Sequence, residues 1–243
     1  MLLEIGQVEA IFRYPVKSMA GERLEVAHLG WHGIEGDRRL AFRRMHDRGG
    51  MPWLTASKLP DLLRFTPLRR TESAPEDIPT HVRTPEGQEY AVFGEDLASE
   101  IARRHGAPVQ MLQLNNGIFD EACISVIATQ TISEIGRLAG QNLDVRQFRP
   151  NVVVRLLKPS AFQEDAWLGG ALSFGEADDA STVAVTMRDL RCGMVNLDPG
   201  TAVPAPEVMK AIVRANDNYA GIYAAVTRIG RLAVGQKVFL RAE

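Results

Sequence analysis

Between Leu3 and Arg241 the chain is written in short apolar stretches rich in β-branched and aromatic residues, and glycine or proline cuts most of them before helical length is reached. That punctuation constrains the fold most, because runs of about four to eight such residues read as strands. Leu3 to Phe12 alternates and stops at Pro15; Leu24 to Leu29 runs into Gly30, Gly33 and Gly36; Arg39 to Met45 precedes the turn at Gly49-Gly50. Phe65 to Leu68, His81 to Thr84 and Glu89 to Phe93 continue the pattern around Pro85-Glu86-Gly87, followed by Val109 to Leu114. After an apolar stretch at Cys123 to Ala128, strands are expected at Asn151 to Leu157, Leu172 to Gly175, Val183 to Arg188, Ile222 to Ile229 and Lys237 to Arg241. Helical spacing is confined to Leu97 through Gly106, Gln130 to Ala139 and Pro206 to Asn216, with a short helix expected over Thr55 to Leu63. No alternating βαβ order appears. The class is mostly β (α+β), of barrel or sandwich type.

A length of 243 residues admits one large domain or two small ones. Asn115-Asn116-Gly117 is the best boundary, giving units at 1–115 and 116–243. Thr71 to Thr80 has loop composition and is expected to be mobile and dispensable to the chemistry. The formal net charge of −2 argues against a nucleic-acid or membrane-surface partner. That near-zero total is uneven: residues 1–70 hold twelve Lys and Arg against eight acids, whereas 71–100 hold eight acids and only Arg83. The N-terminal stretch has no basic region leading into an apolar one, and no apolar run approaches the roughly 18 residues of a membrane span. With two cysteines lacking CxxC spacing, the expectation is a soluble, cytoplasmic protein without structural zinc.

The common catalytic signatures are missing: no GxSxG elbow, no GxxxxGK[ST] loop, no HExxH pair, and Gly30, Gly33 and Gly36 do not make GxGxxG. What remains is a set of basic residues at turns: Lys17 beside Pro15, Arg38 and Arg39 after Gly36-Asp37, Arg149 before Pro150, and Arg191 before Cys192. Turns hold side chains at strand ends, where an anion can be met by charge-assisted bonds. Each of these residues alone reads equally as a surface charge or a structural partner for a carboxylate such as Asp37. Cys192 stands beside two arginines, which favours a thiolate able to attack sulfur or ligate a soft metal. On spacing alone it reads first as a buried structural thiol. Cys123, inside an apolar run, reads as a packing cysteine.

Taken in order, YPVKSMAGE at 14–22, GIEGDRRLAF at 33–42, LTASKLPDLL at 54–63, QFRPNVVV at 147–154, FQEDAWLGG at 162–170, LRCGMVNLDPGT at 190–201 and YAGIYAAVTRIGRLAVGQKVFL at 219–240 cover nearly the whole chain. Together they resemble the MOSC family, named for the C-terminal domain of molybdenum cofactor sulfurases, in the version with an N-terminal MOSC-type β-barrel. The resemblance implies two associated β-barrel-like domains with a few short helices and the ligand site between them. It further implies that the molybdenum cofactor (molybdopterin) is held by Lys17, Ser18, Arg38, Arg149, Asn151 and Arg191, with Cys192 as catalytic residue and metal ligand. Glu164, Asp165 and Trp167 could line that site or order its loop, and Asp198 could orient an arginine.

An iron–sulfur domain found in larger family members has no counterpart here, since two cysteines are too few for a cluster. Nor is there a desulfurase domain to use pyridoxal phosphate. The activity implied is reduction of N-hydroxylated or otherwise N-oxygenated small molecules, with electrons from a separate iron–sulfur or flavin protein. The alternative is a carrier that passes persulfide sulfur, or the cofactor itself, between donor and acceptor proteins without turnover. A folded relative that binds neither stays open at this point.

Overall fold

The computed structural model describes residues 2–70, 78–117 and 121–241. Its strands are β1 (Leu2–Arg13), β2 (Glu22–Leu24), β3 (Val26–Gly30), β4 (Gly33–Ile34), β5 (Leu40–Arg44), β6 (Thr66–Leu68), β7 (His81–Arg83), β8 (Glu89–Ala91), β9 (Val109–Gln113), β10 (Ile124–Ala128), β11 (Val152–Leu156), β12 (Ala171–Ser173), β13 (Thr182–Leu190), β14 (Tyr219–Arg228), β15 (Gly230–Ala233) and β16 (Lys237–Arg241). The helices are α1 (Glu95–His105), α2 (Thr129–Ala139) and α3 (Glu207–Asn216).

Seven strands close a barrel in the order β11, β10, β14, β13, β12, β16, β1 and back to β11. Neighbours run antiparallel except β10 and β11, which are parallel and are joined through α2. Closure falls to β1, whose two edges pair with β11 and β16. Ile5, Val8 and Ile11 of β1 face the barrel interior, while Ala10 and Phe12 belong to a second apolar layer with α2 and α3. A register shift between Val8 and Ala10 accompanies the change of face. β10 and β11 also bury both sides: Val126, Val152 and Val154 point inward, Ile127 and Val153 outward to the helices. Their sequences therefore read as unbroken apolar runs rather than as alternation.

A separate core lies in the second unit, where β5 pairs with β9 and β6, β7 and β8 form a small sheet beside α1. Val16, Leu40, Phe42, Phe65, Leu97 and Ile101 fill it. Leu197 and Met194 of the barrel side pack on Ala56 and Leu63 of this unit, so the two bodies meet just beyond Cys192.

The chain is thus mostly β, with a closed barrel, three helices and a second β-rich unit. Strand pairing cuts across the division at 115/116. β1 and β2 lie in the barrel sheet, and Ala27, Leu29 and Ile34 of β3 and β4 join its core, because a barrel otherwise built from 124–241 needs β1 between β11 and β16. The helix expected over Thr55 to Leu63 is a single 3-10 turn, Pro60–Arg64; Leu59 before the proline is held out of the helical region at ψ 85. β15 was not foreseen, since Gly230 and Arg231 obscure its pattern. Residues 71–77 of the expected loop, with Glu72, Glu76 and Asp77, lie outside the described residues.

Gly6 marks the tightest approach of β1 to β11: a β-carbon there would run into the Arg155 carbonyl. Gly6→Val should lower unfolding stability by about 3 kcal/mol, the upper range for overpacking. Urea unfolding measures it, and a surface valine at Gly50, where the added carbon meets open space, serves as the control.

Candidate functional site

A cleft of about 920 Å³ opens between the second unit and the end of β13 and β14. Three chain segments meet at its wall. The turn after β1 brings Lys17 and Ser18, both buried, with Lys17 N–H bonded to the Leu40 carbonyl at 2.8 Å. The turn after β4 brings Arg38, and the segment before β11 brings Arg149. Ser18, Arg38 and Arg149 all have left-handed backbones, at φ 64°, 50° and 49°. Such conformations cost about 1–3 kcal/mol each and persist where the surroundings enforce them.

Asp37 braces this wall from behind. Its buried carboxylate accepts from Tyr14 N–H at 2.7 Å, from Asn151 Nδ2 at 3.0 Å and from Arg38 Nη1. Arg38 Nη2 donates to the Arg149 carbonyl at 3.0 Å, which ties the two arginine turns together. Desolvation works against the Arg38 charge, but Asp37 outweighs it and holds the guanidinium above its ordinary pKa. Arg149 Nη1 reaches the Met19 carbonyl at 2.8 Å.

On the opposite side Arg191 is buried and braced. Nε donates to the Ala220 carbonyl at 2.7 Å, Nη1 to the Phe148 carbonyl at 2.8 Å, and Nη2 pairs with Asp189 at 2.9 Å. Its guanidinium therefore shapes the cleft floor more than it offers forked donors to a ligand. Cys192 follows directly, exposed at the start of the 3-10 turn Gly193–Asn196 and lining the cleft. The buried-thiol reading of Cys192 fails: the Arg191 side chain turns inward and the thiol remains at the rim. Cys123 matches its packing role, half-buried against the barrel core with burial pushing its thiol pKa up.

Lys17, Ser18, Arg38, Arg149, Arg191 and Cys192 thus surround one cleft. Asn151 stands behind the wall: it is buried, accepts from Ser125 N–H at 3.1 Å and donates to the Phe12 carbonyl at 3.3 Å besides holding Asp37. Sequence reasoning counted Arg188 only as one of the two arginines near Cys192; its guanidinium lies 3.9 Å from the Tyr219 ring centre and pairs with Asp165 at 2.9 Å. Its place on β13, three residues before Arg191, was the available signal. Asp198 accepts from Gly200 and Thr201 N–H and from the Thr201 hydroxyl, which makes it a turn residue. Trp167 is in the barrel core. Among the described residues no group of three or more His, Cys, Asp or Glu is placed to hold a metal ion.

The MOSC domain model matches residues 102–239, and the MOSC N-terminal beta barrel domain model matches residues 5–122. The chain belongs to the MOSC family. No curated protein matches it. Among solved structures, the YUAD protein from Bacillus subtilis is similar over 100% of this chain and 98% of its own, with TM-score 0.54 and 13% identity, which supports the fold. YiiM from Geobacillus stearothermophilus matches at 18% identity over 49% of this chain and 54% of its own, TM-score 0.38. Membership associates this MOSC chain with molybdenum cofactor binding. The donor set fits such a group: cationic and hydroxyl side chains along one wall suit a phosphate, and an exposed thiol at the rim is a soft ligand. No described helix is long and apolar enough to cross a membrane.

Glu164 leaves the site altogether. Fully buried, it accepts from Ala128 N–H at 3.2 Å and from the Thr131 hydroxyl at 2.9 Å, capping α2. Burial holds its pKa above the ordinary 4.5. The folded chain therefore keeps a proton that the unfolded chain releases, so this contribution is full below about 4.5 and is lost as pH rises through the raised value. Glu164→Gln, neutral, with its oxygen accepting from Ala128 N–H and its Nε2 donating to the Thr131 hydroxyl, should gain stability relative to wild type as pH rises from 4 toward neutrality. Thermal unfolding of both proteins across that range measures the difference.

Proposed function

We propose that this MOSC protein is an oxidoreductase that binds the molybdenum cofactor through Cys192 and reduces N-hydroxylated or otherwise N-oxygenated small molecules. The observation that carries the reading is the convergence of Lys17, Ser18, Arg38 and Arg149 with an exposed cysteine around one cleft. When bound, the cofactor supplies two-electron oxygen-atom exchange, and the protein supplies position and field.

Lys17 and the two guanidinium groups attract and orient the phosphate end, with the Ser18 hydroxyl beside them. Asp37 holds the Arg38 side chain and the Tyr14 N–H just before the Lys17 turn, which leaves less ordering of that wall to be done on binding. Arg191 fixes the chain leading to Cys192 through Ala220 and Phe148, which sets where the thiol stands. Tyr219 and Tyr223, with Met187 and Leu190, give the substrate side an apolar and aromatic wall. The two cysteines of the sequence cannot hold an iron–sulfur cluster, so a separate iron–sulfur or flavin protein delivers the electrons. A second reading rests on the exposure of Cys192: a thiol at the rim is within reach of an acceptor protein and suits a persulfide relay or a cofactor carrier.

Protein purified from a host that makes the cofactor should carry molybdenum and pterin in near-equal amounts to chain. In Cys192→Ala the molybdenum should fall by roughly tenfold or more, since even a group behind a metal ligand is worth that much. Absence of both from the wild-type protein sinks the proposal; cyanide-labile sulfur on Cys192 without molybdenum establishes the relay instead. Turnover of an amidoxime with an artificial reductant separates enzyme from cofactor carrier.

A further inference from the structure

Tyr14 is the last residue before the Pro15 turn, fully buried at the edge of the apolar layer that Phe12 and Phe148 share with α2 and α3. Its ring lies under two of the cleft's cations: the Arg149 guanidinium carbon is 4.2 Å from the ring centre and that of Arg38 is 5.1 Å. Phe12 stacks beside it at 6.3 Å with the planes 25° apart. Gly21 is glycine where it abuts this ring, because a β-carbon there would overlap Tyr14 Cδ1 and Cε1. The hydroxyl, by contrast, is buried with no hydrogen-bond partner. A buried donor without an acceptor costs stability, so the residue is kept for something other than its oxygen.

Two guanidinium groups in one small site repel each other, a cost that the hydrogen bonds at their ends must offset. An aromatic face attracts both through its quadrupole, and does so more strongly away from water. The left-handed backbones of Arg38 and Arg149 fix where the two side chains begin; hydrogen bonds to Asp37, to the Arg149 carbonyl and to the Met19 carbonyl hold individual nitrogens at their ends, and the ring supports both guanidinium planes together. From this geometry we infer that Tyr14 is a positioning residue that holds Arg38 and Arg149 as a preformed anion clamp by the face of its ring, its hydroxyl taking no part. The inference rests on the reading of the cleft as an anion site. Burial also drives the Tyr14 pKa above its ordinary 10.0, so the ring stays neutral and keeps its quadrupole without adding a negative charge beneath the clamp.

The test titrates the full chain with inorganic pyrophosphate by calorimetry. Tyr14→Phe should bind as wild type does and unfold at the same or higher urea concentration, whereas Tyr14→Leu should bind roughly tenfold more weakly. Equal weakening in Tyr14→Phe assigns the role to the hydroxyl and overturns the inference, as does unaltered binding by Tyr14→Leu. Failure of the wild-type chain to bind pyrophosphate would remove the anion site itself, and the inference with it. Should Tyr14→Leu not fold, proton–nitrogen spectra of the arginine side chains decide: Arg149 guanidinium protons must show the upfield ring-current shift in wild type and in Tyr14→Phe. Its absence overturns the inference.

Discussion

The Asp37 carboxylate, 1% exposed, joins parts of the chain that are far apart in sequence. One oxygen accepts from the backbone at the end of β1, the other from Asn151 at the head of β11 and from Arg38 in the turn leading to the second unit. A buried charge is tolerable only when its partners are complete, and removing one partner of such a pair typically costs about 3–5 kcal/mol. Barrel, second unit and cleft wall therefore share one polar knot. Asn151 completes it by donating to Asp37 and accepting from Ser125 N–H, which also fixes β10 against β11.

A second knot, on the other wall, repeats the principle. Asp189 is as buried as Asp37 and pairs with Arg191 while accepting from the Ser125 hydroxyl. Ser125 thus touches both knots, with its backbone on one and its hydroxyl on the other. Arg188 and Asp165 form a third pair at the edge, with Asn216 bonded to both. Arg38, Arg191 and Arg188 are thus each matched by a carboxylate within the protein wall. Lys17, Ser18, Arg149 and the rim thiol of Cys192 line the same cleft.

Much of this was legible in the sequence. The strand pattern survives because barrel strands alternate or, at β10 and β11, are apolar on both faces, and each leaves its mark. Glycine stops such as Gly106 and Gly140 ended α1 and α2 where expected, each in a left-handed cap. The basic turns could be read as a set because turns carry function. Which side of the wall each residue occupies could not. Asn151 and Arg149 are two positions apart, yet one is a brace and the other lines the cleft. Membership of β1 in the barrel was hidden as well, since pairing between positions 6 and 156 or between 2 and 241 leaves no trace in local periodicity. Cys192 reads on spacing alone as a buried thiol, and spacing cannot tell that Arg191 turns inward while the next residue stays exposed at the start of a 3-10 turn.

The position of β1 also governs when the barrel can form during synthesis. This strand leaves the ribosome first, but its two neighbours, β11 and β16, come from the middle and the far end of the chain. Apart from Ile11–Arg13, which pair with β2, its edges stay unpaired until those partners are made, and the barrel has no closed state before β16 emerges. Long-range pairings of this kind slow folding, since the loop must be closed before any contact rewards it. Meanwhile an apolar strand with open edges is a template for wrong pairing. The second unit, by contrast, draws its core from residues 16–111 and can assemble while the barrel waits. Birth order and spatial order are therefore opposed in this chain, and the interval between them is when it is most exposed to chaperones and to aggregation.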